Sequence, residues 1–315
     1  MMRILSTLGA LLALTTTGML AAQDAPEAAH PLVAKTTLPP PSAADRERRA
    51  AVIPAPYRYD DILWENDRIA HRIYGRALEA VEPPSSSGVD VWAKNVRWPF
   101  MDRQLRTTRQ HEYQGEGLDF YNVHGARGAG GLGIWLDNKL WVSRNYVRPR
   151  ILQNGPNVAS FEVHYDPWPV DVARKVWETR SFTLPAGTNF TRMVSTIQSD
   201  RTDPLIVGIG ISKRPTSEDK LGTFTADKRT GRVSWWGPTD PTDGTIAVAL
   251  MVDPTALVGV TQDYDNYLVL VRVKPGVPFV YYMGASWDRG LDFHNRGEWD
   301  AYVARQKPDF DATHR

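Results

Sequence analysis

From Tyr57 onward the chain is cut into short stretches rich in Val, Ile, Tyr, Trp and Thr, separated by Gly, Pro, Asn and Asp. Most of these stretches have the length of a β-strand. Examples are 69–74, 157–165, 176–184, 195–197, 205–211, 245–252, 267–273 and 279–282. In Phe161-Glu162-Val163-His164-Tyr165 and in Arg180-Ser181-Phe182-Thr183-Leu184 the residue character alternates, as in a sheet with one face in a core and one in water. Helical periodicity is scarce. It predicts a closing helix over 296–306 that buries Trp299, Tyr302 and Val303, and a short one after Ser42, whose hydroxyl suits an N-cap. The fold class is therefore all-β, one large antiparallel β-sandwich over 57–315, without repeats or an internal linker. The least patterned stretch, 217–243, reads as a long loop carrying Trp235-Trp236.

Ahead of this domain lie two segments of other character. Arg3 precedes an uncharged, mainly apolar or small run from Ile4 to Leu20, then Ala21-Ala22. That is the layout of a signal peptide, 1–22, cut after Ala22. The competing reading, a retained membrane anchor, is weakened by the interrupting Thr15-Thr16-Thr17. Residues 23–56, with Pro39-Pro40-Pro41, read as a flexible N-terminal segment. The expected location is the periplasm or the exterior, with no stable membrane insertion after cleavage.

The absence of cysteine from the 315 residues removes disulfides, thiolate nucleophiles and thiolate metal ligands. With 37 basic and 36 acidic residues and no basic stripe, nucleic acid is not an expected partner. The run Gly128-Ala129-Gly130-Gly131-Leu132-Gly133 lacks the dinucleotide-binding register. No cofactor is expected, and a divalent metal stays open: His111, His124 and His164 could converge, although no metal-ligand spacing is present.

Chemistry concentrates in residues 92–168, where polar and aromatic side chains are densest. His111, Tyr121, His124 and His164 are the candidate catalytic residues, since imidazole and phenol can take and return a proton near neutral pH. Arg127, Trp135, Lys139, Trp141, Arg144 and Arg148 are candidate substrate-binding residues, joined by Trp287 and His294 near the carboxyl end. Tryptophan faces can carry sugar rings, although several of the 11 tryptophans are expected simply to fill the core. Arginine forks fit a carboxylate or sulfate. Arg144, Arg148 and Arg150 would share one face of an extended stretch, but they suit a solvated strand edge equally well. An anionic carbohydrate is the expected partner. Hydrolysis would instead call on Glu112, Glu116, Asp119 and Asp137.

The segments beginning Leu63-Trp64-Glu65-Asn66-Asp67, Gly88-Val89-Asp90-Val91-Trp92 and His111-Glu112-Tyr113-Gln114-Gly115 carry a resemblance, together with Gly131-Leu132-Gly133-Ile134-Trp135, Arg144-Asn145-Tyr146 and the ending Tyr281-Tyr282-Met283-Gly284-Ala285-Ser286-Trp287-Asp288. Over roughly 57–305 the chain resembles an exported bacterial domain-of-unknown-function family associated with polysaccharide degradation. The resemblance implies a supersandwich similar to galactose mutarotase. It also implies a role in breaking down uronate-containing glycans, by a β-eliminating lyase or a sugar dehydratase. It transfers no catalytic residue. A glycoside hydrolase, a sugar isomerase or mutarotase, a noncatalytic glycan-binding protein and an envelope scaffold are the competing readings.

Overall fold

In the computed structural model residues 32–34, 36–213 and 221–314 are described. The leader expected at 1–22 lies outside them, as do residues 23–31 of the expected flexible segment. Ser42 caps helix α1 (Ala43–Glu47), its hydroxyl accepting from the Asp45 amide. The first sheet follows in chain order: β1 (Ala50–Ala55), β2 (Asp61–Asn66), β3 (Ala70–Ile73), β4 (Asp90–Lys94) and β5 (Gly117–Leu118). The expected start of the fold at Tyr57 is thus corrected. Ala50, Val52 and Ala55 are buried in β1, which pairs along its whole length with β2. Its alanines and single proline hid a strand behind the composition of a tether.

The remaining strands form two further antiparallel sheets. In chain order they are β6 (Ala129–Leu136), β7 (Lys139–Trp141), β8 (Val147–Asn154), β9 (Val158–Val170), β10 (Arg174–Pro185), β11 (Phe190–Ser199), β12 (Leu205–Ser212), β13 (Thr223–Asp227), β14 (Arg232–Trp236), β15 (Ile246–Val252), β16 (Leu257–Gln262), β17 (Asn266–Val273) and β18 (Phe279–Trp287). The eight-stranded sheet runs β13-β14-β15-β18-β11-β10-β9-β8, and the five-stranded one β16-β17-β12-β6-β7. The protein is an all-β sandwich, as its alternation requires. Part of the stretch expected to be a loop is the hairpin β13–β14, in which Trp235 is buried and donates its indole N–H to the Leu221 carbonyl.

One continuous core lies under the eight-stranded sheet. Phe161, Val163, Phe182 and Tyr281 contribute from that sheet, Ile209 and Val271 from the five-stranded one, and Trp64 from β2. Trp64 sits 5.2 Å from both Phe161 and Phe182, centroid to centroid, so aromatic contact joins the first sheet to the second. The sheets approach closely at Gly130. It has a φ of +96°, and a Cβ there would lie 2.9 Å from that of Met283. Helix α3 (Arg296–Arg305), capped by Asn295, buries Trp299 and Val303 against Phe190, Ala247 and Met251.

One buried ion pair positions what matters next. Lys94 Nζ donates to Glu65 Oε2 at 2.6 Å, and Glu65 Oε1 accepts from the amides of Phe100 and Met101. These amides open helix α2 (Met101–Leu105), whose N-cap side chain offers no acceptor of its own. Buried Gln104 on α2 then donates its amide to the carbonyls of Gln110 and Glu112. Sheet, helix and loop are thereby tied in sequence, and the loop carries His111.

Candidate functional site

Arg72, on β3, is the centre of a buried charge cluster. Its Nε and Nη2 donate to Asp90 Oδ2 at 3.0 and 2.7 Å, Nη2 also donates to Asp119 Oδ2 at 2.8 Å, and Nη1 donates to Gln110 Oε1 at 3.1 Å. Asp61 Oδ2 stands 3.9 Å from Nε. The guanidinium carbon lies 5.1 Å from the Tyr74 ring centroid and 5.3 Å from that of Trp92. Such packing suits a weakly hydrated planar cation. Three buried carboxylates thus surround one guanidinium. The Arg72 side chain is held protonated against its burial by Tyr74, Asp90, Asp119 and Asp61. Burial, then the neighbouring Asp119 carboxylate, pushes Asp90 upward, with Arg72 pulling the other way.

Burial pushes Asp61 up to about 7, against the pull of Arg72 and Arg58. An aspartate that holds its proton more tightly folded than unfolded contributes stability in acid. That contribution is fully present below its unfolded value and disappears as pH rises through the folded one. Stability is therefore expected to decline between about pH 4 and about pH 7, by at most about 4 kcal/mol from this group. Asp61→Asn, uncharged throughout, should flatten part of that slope in melting curves recorded from pH 4 to pH 8. An identical slope in the variant would remove Asp61 as its source.

Above the cluster opens a cleft of about 480 Å³. Its walls come from Arg58, Arg72, Tyr74, the loop 82–86, Gln110, His111, Asp119 and the segment 121–124. Tyr74 presents a half-buried ring, and burial with the adjacent carboxylates keeps its phenol protonated. Arg58 makes a two-pronged pair with Glu82 at 2.8 and 2.9 Å. The His111 ring is largely exposed. Its Nδ1 is 2.8 Å from the Asp119 carbonyl oxygen, and its Nε2 is 3.0 Å from Gln110 Nε2. His124 is also exposed and has a φ of +44°.

The structure thus brings His111, Tyr121 and His124 to one cleft. The other sequence candidates lie elsewhere. His164 is on β9, bonded through Nδ1 to Thr179 Oγ1 at 2.9 Å. Arg127 is buried, donating to Ser87 Oγ at 3.1 Å and the Gly125 carbonyl at 3.0 Å. Burial, then the charge of Arg180, lowers Arg127 to about 10. Trp135 sits near the end of β6, and Lys139 Nζ lies 3.8 Å over the Trp141 ring in the β6–β7 hairpin. Arg144 is bonded to Glu79, Arg148 lies 3.7 Å from Asp166, and Arg150 donates to Glu162. Arg148 has a φ of +50° and the β8–β9 register shifts beside it, so the three arginines do not form the regular row that an extended stretch would give. Trp287 is buried, its indole N–H donating to the Asp243 carbonyl, while His294 bonds the Asp288 carbonyl ahead of α3. Substituting Lys139 or Arg144 by alanine is expected to shift stability by less than about 1 kcal/mol, the usual worth of exposed pairs. It should leave any activity of the cleft within about two-fold. A ten-fold loss in a turnover assay would return these residues to the site.

Sequence reasoning passed over Arg58, Arg72, Tyr74, Glu82, Asp90 and Gln110. A lone charge in the apolar run Ile69-Ala70-His71-Arg72-Ile73 was the one available signal, since a buried charge needs partners. Among the described residues, no group of three or more His, Asp or Glu side chains is disposed to hold a metal ion. No helix among them is long and apolar enough to cross a membrane.

A family model described as "Domain of unknown function (DUF4861)" matches residues 21–313. Uncharacterized protein P7 of Formosa agariphila is 29% identical over 264 residues, 79% of this chain. The chain spans 64% of that relative's length. Among solved structures, the galactosidase domain of alpha-galactosidase-sucrose kinase, AgaSK, is similar at a TM-score of 0.32 and 10% identity, covering 75% of this chain and 42% of that one.

Proposed function

The chain belongs to the DUF4861 family, and from its cleft we propose that it is a carbohydrate-active enzyme acting on uronate-containing glycans or oligosaccharides by β-elimination. One observation carries this reading: the Tyr74 ring, two guanidinium groups and the His111 imidazole meet in a single open cleft of about 480 Å³. That volume lies within the range of small-molecule sites, and the polar groups would converge on the hydroxyls and carboxylate of a sugar. Tyr74 supplies a platform for a pyranose ring, stiffened from behind by Arg72.

The chemistry follows from the groups at hand. Arg58, freed from or shared with Glu82, neutralises the sugar carboxylate and so acidifies the adjacent C–H. His111 takes that proton at Nε2, whose lone pair the Gln110 amide gives up as the substrate binds. The electron pair left behind forms a C=C bond as the bond from the next carbon to its oxygen breaks. The departing oxygen leaves with a proton from a phenol such as Tyr74 or Tyr121. If that oxygen is a glycosidic one, the chain is cut. If it is a hydroxyl, water is lost.

The reading includes export to the periplasm or beyond, supported by Arg3 and the apolar run ahead of Ala22. Incubating the protein with uronate polysaccharides and with their unsaturated oligosaccharides tests it, with ultraviolet absorbance and product mass followed together. A new unsaturated product, or loss of 18 mass units, roughly one water, is the expected result under this acid–base scheme. A gain of water would replace elimination by hydrolysis and turn attention to Asp119 and Glu82, the acids lining the cleft. Unchanged masses across the panel would overturn both.

A further inference from the structure

Gln110 stands between Arg72 and His111, and its two ends are chemically different. A guanidinium can only donate, so the end 3.1 Å from Arg72 Nη1 is the amide oxygen. Arg72 cannot swing away to relax this choice. Its other nitrogens are held by Asp90 and Asp119, and Tyr74 and Trp92 rings flank it. The amide nitrogen of Gln110 therefore points to His111 and donates to Nε2 at 3.0 Å. At the far side of the ring, Nδ1 faces the Asp119 carbonyl oxygen at 2.8 Å, an atom that can only accept. The backbone of Gln110 is fixed as well, because its carbonyl accepts from the Asp119 amide and from Gln104 Nε2.

We infer that Gln110 is a positioning residue that transmits the fixed orientation of Arg72 to His111, holding the imidazole with its proton on Nδ1 and its lone pair on Nε2. Free histidine side chains prefer the opposite tautomer, so the arrangement requires both contacts. In the resting protein the ring is therefore a neutral imidazole whose single Nε2 lone pair is occupied by the Gln110 N–H, a base held in reserve. A substrate C–H meets that lone pair only once it displaces Gln110, along a direction Arg72 has already set. Other charges face this ring. The Asp119 carboxylate lies 3.8 Å from Nδ1, and Arg109 and Glu112 pair on its own loop. Across the cleft are His124 and the Arg58–Glu82 pair.

The inference rests on the elimination reading for its catalytic meaning, but its test does not need turnover. Nitrogen-15 spectra of the His111 ring, assigned by loss of its signals in His111→Ala, should show a protonated Nδ1 and a bare Nε2 above its titration. In Gln110→Glu an acceptor replaces the donor at Nε2. The ring should then stay doubly protonated to higher pH, its titration midpoint rising by about one unit or more. The acid limb of kcat/KM should move with it. Gln110→Met, which only deletes the amide, should mix the two tautomers, and it serves if the glutamate variant fails to fold. A wild-type ring protonated on Nε2, or spectra of both variants unchanged from wild type, would overturn the inference. A wild-type Nδ1–H ring in a protein that converts no glycan would leave the inference standing and sink the proposed function instead.

Discussion

Replacing Arg72 by methionine is expected to destabilise the fold by roughly 3–5 kcal/mol, the cost of removing one partner from a buried charge pair. The side chain is almost wholly inaccessible, and its three carboxylate neighbours are equally so. Without the guanidinium, Asp90 and Asp119 would face each other across a low-dielectric gap, with Asp61 behind them. Each would have to take a proton or draw in water. The loss should therefore shrink in acid. These carboxyls gain protons as pH falls, and a neutral carboxyl needs no counter-charge. Adding Asp90→Asn to the methionine variant should recover part of the loss at neutral pH. Arg72→Lys should not recover it fully, because an ammonium cannot serve Asp90, Asp119 and Gln110 in one plane. Urea unfolding followed by tryptophan fluorescence measures all of this. A change below about 1 kcal/mol in the methionine variant would mean that the cluster is wet and weakly coupled.

The largest expected effect on activity comes from His111. Its ring is mostly exposed and makes little packing contact, so His111→Ala should leave the unfolding midpoint nearly unchanged. Under the elimination scheme it should lower kcat by about 10²–10⁴, the usual contribution of a positioned proton-transfer group. KM should move much less. His164→Ala is the matched comparison: that ring belongs to the β9–β10 ladder, bonded to Thr179, and its loss should cost activity no more than about three-fold. If the two histidine variants behaved alike, or if the His164 variant were the weaker enzyme, the cleft would not be the seat of the reaction.

The two variants also separate what the sequence could disclose from what it could not. All the strand stretches picked out by composition lie on strands, and the terminal helix is found where its aromatic spacing put it. Alternation reports the long central strands β9, β10 and β11 well because one face of each is buried. It missed β1, half of it alanine, and the hairpin β13–β14, whose first strand is largely exposed although Val233, Ser234 and Trp235 of its second are buried. At the site, His111, Tyr121 and His124 could be singled out because imidazole and phenol are rare and clustered there. The arginines misled for a physical reason. A sequence shows that Arg144, Arg148 and Arg150 are near one another, but not that Glu79, Asp166 and Glu162 lie beside them. Arg72 shows the converse. A single charge in an apolar strand has no periodic signature, and its meaning comes from Asp61, Asp90, Asp119 and Gln110, gathered from four other segments.

Every wall of the cleft comes from one continuous stretch, residues 58–124, built on the first sheet and its connections. The eight-stranded sheet and the β16-β17-β12-β6-β7 sheet supply the bed but none of the lining. On the proposed reading, ligand preference is therefore a cassette. A chimera that exchanged only this stretch with a relative would carry over all the groups that meet a ligand. The price would fall at the seam where Trp64 meets Phe161 and Phe182, so the positions to preserve in such a graft are the seam's aromatics rather than the cleft's polar groups.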